Sequence, residues 1–142
     1  MHRIRVYSIG KTKETWLLAA LAEYEERLRY TLTVEWQLLP DNSALIKALA
    51  QENWPIICLS PEGELLSSEA FSKKFLQILA EGGCRLNLVI GGAEGLPHAI
   101  KQQARWLVSL SRLTFTHQMT RLLLLEQIYR AFEIERGSPY HK

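Results

Sequence analysis

A chain of 142 residues is long enough for one domain with a real core, residues 1–142, and too short for two comfortable ones. Seventeen Lys and Arg against fifteen Asp and Glu leave a formal charge of +2, which excludes a protein that coats nucleic acid by charge alone. Any polynucleotide contact then has to be local, or assembled across subunits.

The N-terminus runs straight into a strand pattern, Arg3 to Ile9, closed by Gly10. No apolar run approaches the ~20 residues needed to span a membrane, so a soluble cytoplasmic protein is expected. Thr12 is placed to cap a first helix with Glu14 in its first turn, and Leu17, Leu21, Tyr24 and Leu28 form one apolar stripe. Leu32 to Leu39 is β-rich and stops at the turn signal Pro40-Asp41-Asn42. A short helix, Ser43 to Glu52, leads to the unalternating run Pro55 to Leu59, which suits a strand covered on both faces.

Pro61-Glu62-Gly63 is expected to turn the chain, and Ser67 or Ser68 to cap a helix whose Phe71, Phe75, Ile78 and Leu79 face inward. Gly82-Gly83 ends it and a strand over Leu86 to Ile90 follows. Pro97 suits the first turn of a helix reaching about Trp106. Leu107 to Leu110 and Leu113 to Phe115 read as short extended pieces divided by Ser111-Arg112. From about Met119 to Arg136 the last helix is apolar over most of its circumference. Strands and helices alternate throughout, which sums to an α/β fold: one mostly parallel sheet with helices on both faces.

A helix packed on one sheet face buries about half its surface, so the apolar excess of the last helix points to a homodimer, with Trp16, Leu17 and Leu18 as further candidates for that surface. A wholly intramolecular core is the alternative. Cys58 and Cys84 lack metal-like partners at short spacing and read as buried or half-buried thiols without a chemical role.

The carboxyl edge of such a sheet is where ligands bind. Gly91-Gly92-x-x-Gly95 lacks the lysine and hydroxyl residue of a P-loop and the spacing of a dinucleotide fingerprint, which argues against an ATPase and the common nicotinamide fold. It is either an ordinary tight turn or a loop that brings main chain close to a ligand. Glu94 is either a solvated charge or a grip on a cationic group. His117 and Arg121, four apart at a helix start, either pack there or serve chemistry. The tail Gly137-Ser138-Pro139-Tyr140-His141-Lys142 leaves the helix at glycine, and either frays or folds over a site.

Val89-Ile90-Gly91-Gly92-Ala93-Glu94-Gly95-Leu96, Leu113 to Arg121, Glu126-Gln127-Ile128-Tyr129-Arg130-Ala131-Phe132 and the closing Tyr140-His141-Lys142 together resemble the bacterial large-subunit ribosomal RNA pseudouridine methyltransferases of the SPOUT superfamily. Ile9-Gly10-Lys11-x-Lys13-Glu14, Ala22-Glu23-Tyr24-Glu25-x-Arg27-Leu28 and Gly63-x-Leu65-Leu66-Ser67-Ser68-Glu69 extend the likeness over almost the whole chain. The resemblance implies S-adenosyl-L-methionine-dependent N3-methylation of a pseudouridine in helix 69 of 23S rRNA on the assembled ribosome, by an obligate homodimer with a deep C-terminal trefoil knot. Neither DNA nor a membrane is an implied partner.

Carried onto this sequence, the cofactor site falls at Leu59, Gly91, Gly92 and along Leu110, Ser111, Arg112, Leu113, Thr114 and Phe115, with no metal. The same resemblance implies catalytic roles for His141 as proton acceptor, Arg121 toward phosphate or base oxygen, and Tyr140 in base positioning, with the tail of one subunit reaching the pocket of the other. Two departures stand out. Thr116 replaces the proline that often precedes the histidine in this family, which would loosen the loop, and only about a dozen residues join Pro40 to Trp54 where the family has a longer segment. A non-catalytic ribosome- or RNA-binding protein, and a methyltransferase for another RNA such as tRNA, remain as alternatives.

Overall fold

In the computed structural model, which describes residues 1–141, five strands form one sheet in the order β2-β1-β4-β3-β5. These are β1 (His2–Ile9), β2 (Leu32–Leu39), β3 (Ile56–Leu65), β4 (Arg85–Ile90) and β5 (Trp106–Ser109). Every pairing is parallel. The helices between them are α1 (Thr15–Leu28), α2 (Asn42–Leu49), α3 (Ser68–Glu81), α4 (His98–Gln103) and α5 (His117–Arg136). Lys142 lies outside the described residues.

Strand alternation divides the core in two. Ile4, Val6, Ile57, Leu59, Leu88 and Ile90 face the layer that holds Leu17, Leu21, Phe75, Leu124, Ile128 and Phe132 of α1, α3 and α5. Tyr7, Ile56, Cys58 and Val89 face the other way, onto Leu45 and Leu49 of α2 and Ile100 of α4. A strand covered on both faces has no solvent side to mark with polar residues, which is why Ile56 to Leu59 shows no alternation. Burial pushes the Cys58 thiol up to about 12 and leaves it inert, while Cys84, expected to be at least half-buried, is exposed on the turn into β4.

Several boundaries differ from the sequence reading, each for a local reason. Helix α1 begins at Thr15 with Glu14 at its N-cap position, because the Thr12 hydroxyl is taken by Arg121 at 2.7 Å. Pro61-Glu62-Gly63 does not end β3. The strand bulges there and resumes, so that Leu59 and Glu64 both pair with Val108. Gly63 lies on the Val108 backbone, where an added Cβ would come within 2.5 Å of the carbonyl carbon.

Helix α4 stops at Gln103, and Trp106 opens β5. Leu113 to Phe115 is not extended in a strand. It is loop, held by a Ser111 hydroxyl that accepts from the Leu113 amide at 2.9 Å. Thr116 does not loosen the entry to α5. Its hydroxyl accepts from the Met119 amide at 3.2 Å and caps the helix.

Candidate active site

The bulge of β3 and the carboxyl ends of β4 and β5 open into one cleft of about 660 Å³, within the range of small-molecule sites. Three segments wall it: the bulge of β3 over Ser60 to Glu62, the loop Gly91 to Leu96 after β4, and the loop Leu110 to Thr116 after β5. His117 and Thr120 on the first turn of α5, and Lys101 on α4, complete the lining.

The glycine loop is a tight turn that also borders the cleft. The Gly95 amide donates to the Gly92 carbonyl at 2.9 Å in a tight turn, with Gly95 at φ +79°, a conformation that side chains disfavour. The same turn faces the cleft, and a Cβ on Gly91 would sit 3.1 Å from the Gly95 carbonyl carbon. Leu59, Gly91, Gly92, Leu110, Ser111, Leu113, Thr114 and Phe115 all line the cleft. Arg112 does not; it is exposed outside the lining.

Charge around the cleft is sparse. Lys101 pairs with Glu62 at 3.3 Å, and Glu94 stands exposed on the opposite wall. Burial, then the positive charges of Arg121 and Lys13, hold the His117 imidazole below its ordinary 6.5, so it is neutral at pH 7. Ser60 and Lys101 lie in no sequence motif, and Glu62 and Thr120, though inside motif segments, are not marked by the sequence as site residues. Only the folding of separate segments onto one edge reveals them.

Arg121 does not reach into the cleft. Its side chain is wholly buried, and its five N–H donors are spent on Ser8 Oγ at 3.1 Å, Thr12 Oγ1 at 2.7 Å, Gln118 Oε1 at 3.3 Å and the carbonyls of Ile9 at 2.8 Å and Gly10 at 2.7 Å. In this arrangement no donor is left over for the phosphate or base oxygen that the resemblance implied. The guanidinium instead bolts α5 to the end of β1, and Ile9 in turn packs against Gly92.

The tail folds back on its own chain. Gly137 ends α5 in the left-handed conformation at φ +70°. The Tyr140 hydroxyl donates to Glu126 Oε2 at 2.7 Å, its ring meets Tyr129 edge-on at 4.8 Å, and Arg130 lies over it at 4.8 Å. Burial, then the bond to Glu126, raises the Tyr140 phenol and keeps it protonated. Because a guanidinium only donates, the 2.9 Å contact from Arg130 Nη1 makes His141 Nδ1 an acceptor. The ring proton then sits on Nε2, 3.2 Å from Glu69 Oε1.

Neither Tyr140 nor His141 lines the cleft of its own chain. A smaller cavity of about 190 Å³ lies beside it, between the start of α3 and α5, and shares Ser109, Leu110 and Phe115 with its wall.

A family model described as "Predicted SPOUT methyltransferase" matches residues 2–141. The chain is 52% identical over 142 residues to the ribosomal RNA large subunit methyltransferase H of Protochlamydia amoebophila, covering 100% of both. It is 37% identical over 158 aligned positions to the protein of that name from Streptococcus suis, covering 99% of each. The second alignment has more positions than this chain has residues, whereas the first does not, so the shortness of this chain is shared by a relative.

Among solved structures, a probable methylase family protein from Haemophilus influenzae is similar in fold, with a TM-score of 0.58 at 13% identity, over 94% of this chain and 66% of that one. This chain thus spans just under two thirds of that protein's length. A match from the second residue to the penultimate one, joined to 52% identity over full length, shows that the chain belongs to the SPOUT methyltransferase family, among the large-subunit ribosomal RNA methyltransferase H proteins.

Proposed function

We propose that this chain is the S-adenosyl-L-methionine-dependent enzyme that methylates N3 of a pseudouridine in helix 69 of 23S rRNA on the assembled ribosome. The observation that carries the reading is the single cleft formed where the bulge of β3 and the ends of β4 and β5 converge, glycine-lined on one wall and mixed apolar and polar on the others. The names of the relatives, which are ribosomal RNA methyltransferases, point the same way.

The cleft fits the cofactor. Leu59, Ile90, Leu110 and Phe115 offer apolar surface for an adenine, Gly91 leaves the main chain uncovered, and Glu94 is an exposed carboxylate for a cationic ligand, Glu62 being paired with Lys101. When bound, the cofactor supplies a methyl group already activated on a sulfonium. The protein's share is alignment, exclusion of water and removal of the N3 proton.

His141 is proposed as the group that takes that proton, at Nδ1 once it is released from Arg130, and Tyr140 as the one that positions the base once it leaves Glu126, both acting at the cleft of a partner subunit. Two features support a homodimer. Trp16 is 55% exposed and Leu18 51% exposed on α1, while Leu17 between them is buried. Leu113, on the loop at the cleft wall, is 74% exposed. The C-terminal segment is also proposed to thread a deep trefoil knot, a reading that rests on membership of the SPOUT family.

The experiment is methyl transfer from labelled S-adenosyl-L-methionine to ribosomes lacking the modification, followed by mapping of the methylated nucleotide. Label at N3 of a helix 69 pseudouridine is expected. Cofactor binding without transfer would favour a non-catalytic binder, and label recovered in tRNA instead would move the substrate.

A further inference from the structure

Lys11 and Lys13 stand exposed on the loop that leaves β1, and neither pairs with a carboxylate among the described residues. The loop that carries them is tightly held. Arg121 binds the carbonyls of Ile9 and Gly10 and the hydroxyl of Thr12, and Gln118 Nε2 donates to the Lys11 carbonyl at 2.9 Å. All of these bonds come from the first two turns of α5, the stretch whose His117 and Thr120 line the cleft.

The backbone that carries two exposed lysines is thus held at the amino end of a 20-residue helix, whose dipole also favours anions. A buried guanidinium with five acceptors is an expensive way to hold a loop that does nothing. In a chain with a net charge of only +2, affinity for a polyanion must come from charges placed where they are needed. Glu14 follows directly and is exposed too, so the loop carries an excess of one positive charge.

We propose that Lys11 and Lys13 contact the phosphates of the RNA strand flanking the nucleotide held in the cleft, and that the Arg121 clamp fixes where those two charges stand. This rests on the RNA methyltransferase reading above. Fixing the loop before binding removes part of the ordering cost, so the contacts act on register as well as on affinity.

The test uses the full chain and intact ribosomes, and compares the wild type with K11Q/K13Q, K11R/K13R and E14Q. KM for ribosomes is measured across salt, and cofactor Kd by calorimetry. Each single-strand phosphate contact contributes about 2.6-fold to weakening between about 50 and 200 mM salt, so the wild-type KM should rise about sevenfold more over that range than that of K11Q/K13Q. The arginine pair should keep the wild-type salt slope, and E14Q should lower KM.

Cofactor Kd should stay the same in all four proteins. Equal salt slopes for the wild type and K11Q/K13Q would overturn the proposal, as would a loss of cofactor binding in K11Q/K13Q, which would make the loop merely structural. A wild type that neither binds nor methylates ribosomes would overturn the function reading itself, and this inference with it.

Discussion

Arg121 and Gly10 lie 111 residues apart in the chain, yet Nη2 of the arginine donates to the glycine carbonyl at 2.7 Å. The bond joins the second turn of the last helix to the end of the first strand, and with its companions it sets one side of the cleft. Replacing Arg121 with Met removes the cost of burying a charge but strands Ser8 Oγ and two carbonyls, each worth about 1–3 kcal/mol when unsatisfied in the interior. The stranded acceptors outweigh the relief. A loss of about 3 kcal/mol or more is expected in urea unfolding, with a smaller loss for R121K, which keeps the charge without the planar fork.

Gly63→Ala should destabilise the fold by about 1–3 kcal/mol, because its Cβ would meet backbone at Val108 that cannot swing aside. Gly92→Ala meets only the Ile9 side chain, at 3.3 Å, and should cost about 1 kcal/mol or less. Denaturant midpoints of the two variants measure the contrast. If G63A were as stable as G92A, the close approach of β3 to β5 would be wrong.

Stability should fall as pH drops below about 6.5. The imidazoles of His117 and His2 are both held below their ordinary value, chiefly by burial, so the unfolded chain takes up protons before the folded one does. The stabilisation is present in full above 6.5 and drains away between that value and the lower folded ones. Urea midpoints at about pH 7.5 and 5.5 should converge in H2Q/H117Q relative to the wild type; an unchanged pH dependence would contradict this.

His141→Ala tests the proton acceptor. Single-turnover methylation on ribosomes is expected to slow by about 100-fold, the low end for loss of a general base, with cofactor Kd unaltered. Tyr140→Phe keeps the ring against Tyr129 and loses only the bond to Glu126, so a milder loss of about tenfold is expected. A wild-type rate for H141A would remove that residue from the mechanism.

Trp16→Glu with Leu18→Glu should convert a dimer into a monomer in sedimentation, since charge on an apolar interface is costly, and should abolish methylation if the tail acts in trans. Mixing this variant with H141A does not restore activity unless dimers re-form. A fully active monomer would show instead that one chain completes its own site.

The sequence by itself determined the alternation of strands and helices, the two-faced burial of Ile56 to Leu59 and the loops at the sheet's carboxyl edge. These are patterns of residues close in the chain, where periodicity and turn chemistry leave a direct trace. It also carried the family likeness, and eight of the nine residues that likeness implied for the cofactor line one cleft.

Only the tertiary structure decided what Arg121 does. Four residues from His117 it looked ready to clamp a phosphate, but which acceptors surround a guanidinium depends on segments more than a hundred residues away. The same holds for Thr12, whose hydroxyl serves the far end of the chain rather than the adjacent helix, and for β3, whose passage through Pro61-Glu62-Gly63 is set by the partner strand at Val108. Local propensity names an element; long-range hydrogen bonding and packing choose where it ends and which way its side chains are spent.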